Sequence, residues 1–210
     1  MTDSLGLFGG TFDPPHIGHL ILAEEACAQL GLERLLWALA GDPPHKRDRP
    51  ISSLPNRLAL MQAAIAGNPL FELSLVDIDR PGPHWTADTV RLVSQGYPDS
   101  DLMFLMGGDS LGDLPNWNRP QEILSYCTLG VMRRPDQTFD LAAMEEKLPG
   151  ISRKVRFLDL PMIDISARDI RRRVRLGLPY RYMVPEAVRD VVEDRGLYTN
   201  KPEPEYRPRK

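Results

Sequence analysis

The chain has 210 residues, 42% of them hydrophobic and 26% charged, with a formal net charge of −3. That length supports one compact domain with a sizeable core, or one domain plus a small lobe. A net acidic chain excludes a general polyanion-binding surface, so no nucleic-acid partner is expected and any anionic ligand must be met by local positive groups.

In chain order, LGLFGGTF (5–12) reads as a buried strand ending in a glycine loop. From His19 to Leu30 the pattern turns helical, with Leu22, Ala26 and Leu30 repeating every four residues and Gly31 as the stop. LLWALAG (35–41) is a second strand, followed by the loop DPPHK, and residues 54–67 form a helix with Pro55 near its start. FELSLVDI (71–78) is a third strand, and TADTVRLVSQG (86–96) a helix with Thr86 as candidate N-cap. DLMFLMGG (101–108) is a continuous apolar run that suits a buried strand.

Two short helical pieces surround 114–124, and residues 128–134, 140–148 and 155–160 read as strand, helix and strand. A helix opens at Ser166 with S-x-x-D, burying Ile170, Val174 and Leu178, and a last one runs from Pro185 to Arg195. Residues 200–210 hold three prolines and no core residues, so they are expected to be a mobile tail beyond a single domain spanning 1–199. Strands alternating with helices predict an α/β, Rossmann-like doubly wound and mostly parallel sheet, with helices on both faces and a C-terminal helical part. The loops TFDPPH, DPPHK and GGDS all follow strands and are expected to converge on one cleft.

Cys27 and Cys127 are too few for a disulfide framework and stand in no metal spacing, so both are expected to be buried thiols. The opening MTDSLGLFGG has no basic region and carries Asp3, unlike a secretory signal. No apolar run approaches the ~20 residues of a membrane span. The expected location is cytoplasmic, with no membrane partner; a homo-oligomer is compatible with the sequence.

The chemistry concentrates in GGTFDPPHIGH (9–19). Gly9 and Gly10 let backbone approach a ligand, Asp13-Pro14-Pro15 stiffens the turn, and His16 and His19 fall on one side of a helix start. Two imidazoles beside helix N–H groups suit a phosphate. Histidines at this spacing can instead share a metal, but no third ligand accompanies them in sequence.

These residues resemble the nucleotidylyltransferase superfamily with its H-x-G-H signature. From about Leu5 to Tyr198 the chain resembles the bacterial nicotinate-nucleotide adenylyltransferase family. The matching pieces are GGTFDPPHIGH, PPHK (43–46), HWTADT (84–89), GGDS (107–110), LPNW (114–117), ISARDIR (165–171) and YMVPEAV (182–188). Pro15, Arg168 and Pro120 depart from the usual pattern.

The resemblance implies transfer of AMP from ATP to nicotinate mononucleotide, giving nicotinate adenine dinucleotide and pyrophosphate in NAD biosynthesis. The alternative is a related transferase whose acceptor is nicotinamide mononucleotide or phosphopantetheine. It implies catalytic roles for His16, His19, Lys46 and Arg171, and ATP contacts from Gly9, Gly10, Thr11, Phe12, Gly107, Asp109, Ser166 and Ile170. Acceptor contacts fall to Thr86, Trp117 and Asn118. Mg²⁺ is implied on the triphosphate, with no protein side chain as its ligand.

Overall fold

The computed structural model describes residues 3–41, 51–133, 137–161 and 163–199. They divide into two compact units, each assembled from three stretches of chain: residues 1–11, 21–49 and 68–162 in one, and 12–20, 50–67 and 163–210 in the other.

The first unit is built on six parallel strands: β1 (Asp3–Gly10), β2 (Arg34–Leu39), β3 (Phe71–Ser74), β4 (Ser100–Gly107), β5 (Thr128–Arg133) and β6 (Val155–Asp159). Their order is β3-β2-β1-β4-β5-β6, the doubly wound arrangement expected from sequence, and the direction of winding reverses between β1 and β4. Parallel strands buried on both faces need near-continuous apolar runs, which LGLF, LLWAL and LMFLM supply. Leu7, Leu35, Trp37, Leu39 and Leu129 are fully buried as a result. Around the sheet run α1 (Ile17–Leu30), whose buried side chains are Ala23, Ala26 and Cys27, and α3 (Thr86–Gly96), once α2 (Leu54–Ile65) is counted in the other unit. Four short helices follow: α4 (Gly108–Asp113), α5 (Pro120–Tyr126), α6 (Leu141–Lys147) and α7 (Ile151–Lys154).

The second unit holds the first turn of α1, all of α2, then α8 (Ala167–Arg175) and α9 (Glu186–Asp194). Helices α2 and α9 pack together over Leu60, Met61, Val188 and Val192, all buried, and Arg195 Nη1 donates to the Pro55 carbonyl at 3.2 Å and to Asn56 Oδ1 at 2.9 Å.

Several boundaries differ from expectation. The third strand stops at Ser74 rather than running to Ile78, because Ile78 and Asp79 both donate to the Leu75 carbonyl and turn the chain. A four-residue strand at the sheet edge is also a weak template for unwanted pairing. Trp85, not Thr86, is the N-cap of α3. Leu178 is 40% exposed rather than buried: Gly177 ends α8 with a φ of +65°, so the helical face stops before reaching it. The DPPHK loop and residues 200–210 lie outside the described residues. Cys27 and Cys127 are buried free thiols, as expected, and burial pushes them up to about 11 and about 12.

Candidate active site

The second unit carries the histidine pair. His16 stands immediately before α1 and His19 three residues on, where a Glu would sit in a capping box. Here the imidazole takes that part: the His16 backbone N–H donates to His19 Nδ1 at 3.2 Å. With Nδ1 accepting, the His19 ring proton sits on Nε2. The two rings stack, centroids 3.6 Å apart, and Phe12 meets His19 edge-on at 5.2 Å. Phe12 holds a φ of 46°, a left-handed conformation that a bulky side chain adopts only under constraint. Gly18 sits close against this stack, since a Cβ there would come within 3.1 Å of His16 Nδ1 and the ring would have to give.

His16 is 7% exposed, and burial lowers its pKa to about 4. It is therefore neutral at pH 7 and contributes hydrogen bonding rather than a fixed positive charge. Its Nδ1 is buried without a partner, as suits a group whose partner is a ligand.

Behind the histidines is a cluster that the sequence reading missed. Asp13, 4% exposed, accepts from the Tyr198 hydroxyl at 2.7 Å and from the Ser52 N–H at 3.1 Å. Arg57, 3% exposed, donates to the Ser52 carbonyl at 3.2 Å; burial lowers its pKa, and the Asp13 carboxylate opposes that shift. Burial and Asp13 together push the Tyr198 hydroxyl well above its ordinary pKa. Arg171 joins through the backbone, Nη1 donating to the Asp13 carbonyl at 2.6 Å. Asp13 thus holds the loop whose carbonyl orients Arg171. The only sequence signal was an acid directly before the proline pair that leads into the H-x-G-H element.

Ser166 caps α8 as expected, its Oγ accepting from the Asp169 N–H at 3.2 Å. Ile170 is fully buried, so its side chain belongs to the packing, and its backbone N–H donates to the Ser166 carbonyl at 3.1 Å. Arg172 is exposed and paired with Asp169 at 2.7 Å.

The first unit contains a cavity of about 540 Å³ at the carboxyl ends of β1 and β2. Gly9, Gly10, Ala38 and Ala40 form its floor by being small, and Phe104 and Trp117 supply aromatic walls, their rings edge-on at 6.5 Å. Thr86, Trp117 and Asn118, named from two separate stretches, all line it. Asn118 is held by Arg119, whose Nε donates to Asn118 Oδ1 at 2.9 Å; since a guanidinium only donates, the amide nitrogen is left as a donor. Arg119 itself takes a φ of 53° and bonds Asp88 at 2.6 Å and Glu122 at 3.1 Å, while Pro120 behind it starts α5. Arg119 holds the Asp88 carboxyl below its usual range. The unusual Pro120 is thus a helix-starting residue, suited to N1 because it lacks an N–H.

The loop that carries Thr86 has its own anchor. Asp77 accepts from Arg80 and from Thr89, each at 2.7 Å, and Gly41 must lack a side chain because a Cβ there would lie 2.8 Å from the Asp77 carbonyl. A DxxR pair inside a proline-glycine loop was the available signal. Gly107 ends β4, and Asp109 lies in the first turn of α4 rather than in a loop, where Gln137 Nε2 donates to it at 2.7 Å. Thr11 follows β1 and is half-buried. Lys46 lies outside the described residues.

Comparison with known proteins identifies relatives across nearly the whole chain. The family model described as cytidylyltransferase-like matches residues 7–173. The "probable nicotinate-nucleotide adenylyltransferase" of Thermomicrobium roseum is 47% identical over 194 residues, covering 92% of this chain and 91% of that one. The protein of the same name from Roseiflexus sp. is 41% identical, covering 92% of this chain and 97% of the relative. Among solved structures, Plasmodium falciparum nicotinic acid mononucleotide adenylyltransferase complexed with APC superimposes with a TM-score of 0.74 at 14% identity, over 93% of this chain and 97% of the other, which shows the shared fold. With sequence identity this high across nearly the full length, the chain belongs to the nicotinate-nucleotide adenylyltransferase family within the cytidylyltransferase-like proteins.

Proposed function

We propose that the chain transfers the AMP part of ATP to nicotinate mononucleotide. The observation that carries this reading is the cavity: Thr86, Trp117 and Asn118 meet on one pocket of about 540 Å³, aromatic-walled and rimmed by donors, which suits a flat ring bearing a carboxylate. The acceptor's phosphate, largely dianionic at pH 7, attacks the α-phosphorus of ATP. One P–O bond forms there as the bond to the β-phosphate oxygen breaks, and pyrophosphate departs. A dianionic nucleophile needs no general base, so the work left to the protein is positioning and charge stabilisation.

In this scheme His19 donates from Nε2 and Arg171 supplies the fixed charge, and Lys46 takes the role that sequence resemblance gives it. His16 enters neutral, and an anion beside it favours its protonated form. Gly9, Gly10, Thr11, Phe12, Gly107, Asp109, Ser166 and Ile170 are assigned to ATP. Mg²⁺ is assigned to the triphosphate as part of the nucleotide substrate, as the sequence resemblance implies. Residues 1–199 are taken as one catalytic domain because the two units interleave in sequence and neither is a contiguous module. The cytoplasm suits two buried free thiols.

The test is product analysis after incubation with MgATP and, in parallel, nicotinate mononucleotide, nicotinamide mononucleotide and phosphopantetheine. Nicotinate adenine dinucleotide and pyrophosphate in equal amounts are expected from the first. Faster turnover of phosphopantetheine would overturn the reading.

A further inference from the structure

A cavity that receives a carboxylate-bearing ring should present no net negative charge, yet it has an acid in its wall. Asp77 is the one acidic residue among the described residues that line it, and no lysine or arginine lines it. Asp77 is 8% exposed, so solvent does little to screen its charge. Its Oδ1 receives three donors: Arg80 Nη2 at 2.7 Å, Arg80 Nε at 3.2 Å and Thr89 Oγ1 at 2.7 Å. Arg80 is fixed in turn, Nη1 donating to the Pro83 carbonyl at 3.3 Å while its own carbonyl lies 3.1 Å from His84 Nε2. The two side chains are only 17% and 10% exposed, unlike the solvated ion pairs of the surface.

We propose that Arg80 is a specificity-determining residue: by neutralising Asp77 it allows the cavity to accept the nicotinate carboxylate over the neutral nicotinamide. The inference rests on the reading of this cavity as the acceptor site. With Arg80 in place the pair has no net charge. Without it a buried carboxylate faces the incoming one, while an amide is little affected. Since the two acceptors differ by one charge, the effect falls on the ratio of their kcat/KM values rather than on turnover in general. Two unit charges ~10 Å apart at an effective dielectric of ~20 change that ratio by roughly tenfold.

The test compares nicotinate and nicotinamide mononucleotides in the full-length enzyme and in Arg80→Met, Asp77→Asn and the double variant. Arg80→Met should lower the nicotinate preference roughly tenfold. Asp77→Asn leaves the Arg80 charge uncompensated and should raise the preference. The double variant should return towards wild type. Ratios unmoved in both single variants, or moving in the same direction in both, would overturn the inference, because loop disruption has no charge sign. If Arg80→Met does not fold, Asp77→Asn decides alone, a raised ratio supporting the inference and an unchanged one refuting it. Wild-type enzyme that turns over neither mononucleotide would remove the acceptor reading and this inference with it; discrimination in the wild type that no variant shifts would remove the inference alone.

Discussion

In the unit that holds the histidines, polar groups are buried and bonded to one another: Asp13 to Tyr198 and Ser52, Arg57 to the Ser52 carbonyl, Arg171 to the Asp13 carbonyl. In the unit that holds the cavity, small and aromatic residues make the space, and its polar residues are set by anchors such as Arg119 and Arg80. The first arrangement suits charge handling, where a displaced donor loses most of its effect. The second suits recognition of a flat ring, where volume and donor direction decide. Substitutions in the first region should therefore change folding or turnover, and those in the second should change how tightly an acceptor is held or which acceptor is used.

The largest effect is expected from Asp13→Ala. Removing the carboxylate from beside buried Arg57 should cost about 3–5 kcal/mol, read by chemical denaturation. Tyr198→Phe removes one donor and should cost only about 1 kcal/mol. A stable Asp13→Ala protein would show that the cluster is not the anchor of its unit.

Next, His19→Ala should lower kcat by roughly 10²- to 10³-fold, the scale of losing one transition-state donor, with the fold intact by circular dichroism. Arg172→Ala, which removes an exposed charge paired with Asp169, is the control and should change little. Equal losses in both would erase the distinction drawn within the arginine helix.

His16 offers a pH test. Its folded pKa of about 4 lies below the ordinary 6.5, so above 6.5 neither the folded nor the unfolded form binds the proton and stability does not depend on this group. Between 6.5 and about 4 only the unfolded chain takes it up, so stability falls as pH falls, and below that window the loss is complete. The total is about 3 kcal/mol. Denaturation midpoints across this range should slope in the wild type and flatten in His16→Gln; parallel slopes would assign the effect to other groups.

The smallest effect concerns the aromatic wall. Trp117→Ala should weaken both mononucleotides, raising KM by roughly tenfold through lost stacking, because an aromatic stack is worth about 0.5–1.5 kcal/mol beyond its buried area. It should leave most of the preference for nicotinate, since stacking serves both rings alike. Collapse of the preference in this variant would move recognition from the donors to the ring face.

The sequence by itself determined the order of strands and helices, the buried thiols, the Ser166 cap and the residues of the histidine signature. These are local: apolar runs, periodicity, caps and turns act over a few residues, so they can be read in a line. It could not show that His16 is neutral, because the desolvation that lowers its pKa comes from packing around the ring. Nor could it pair Asp13 with Tyr198, 185 positions apart. It placed Asp109 in the GGDS loop where the chain makes a helix, and extended β3 past Ser74, because a competing hydrogen bond to Leu75 leaves no mark in composition. Tertiary structure decided these features because burial, charge pairing and donor direction depend on neighbours distant in sequence, and one carboxylate can be an anchor or a repulsive wall according to whether an arginine lies 2.7 Å away.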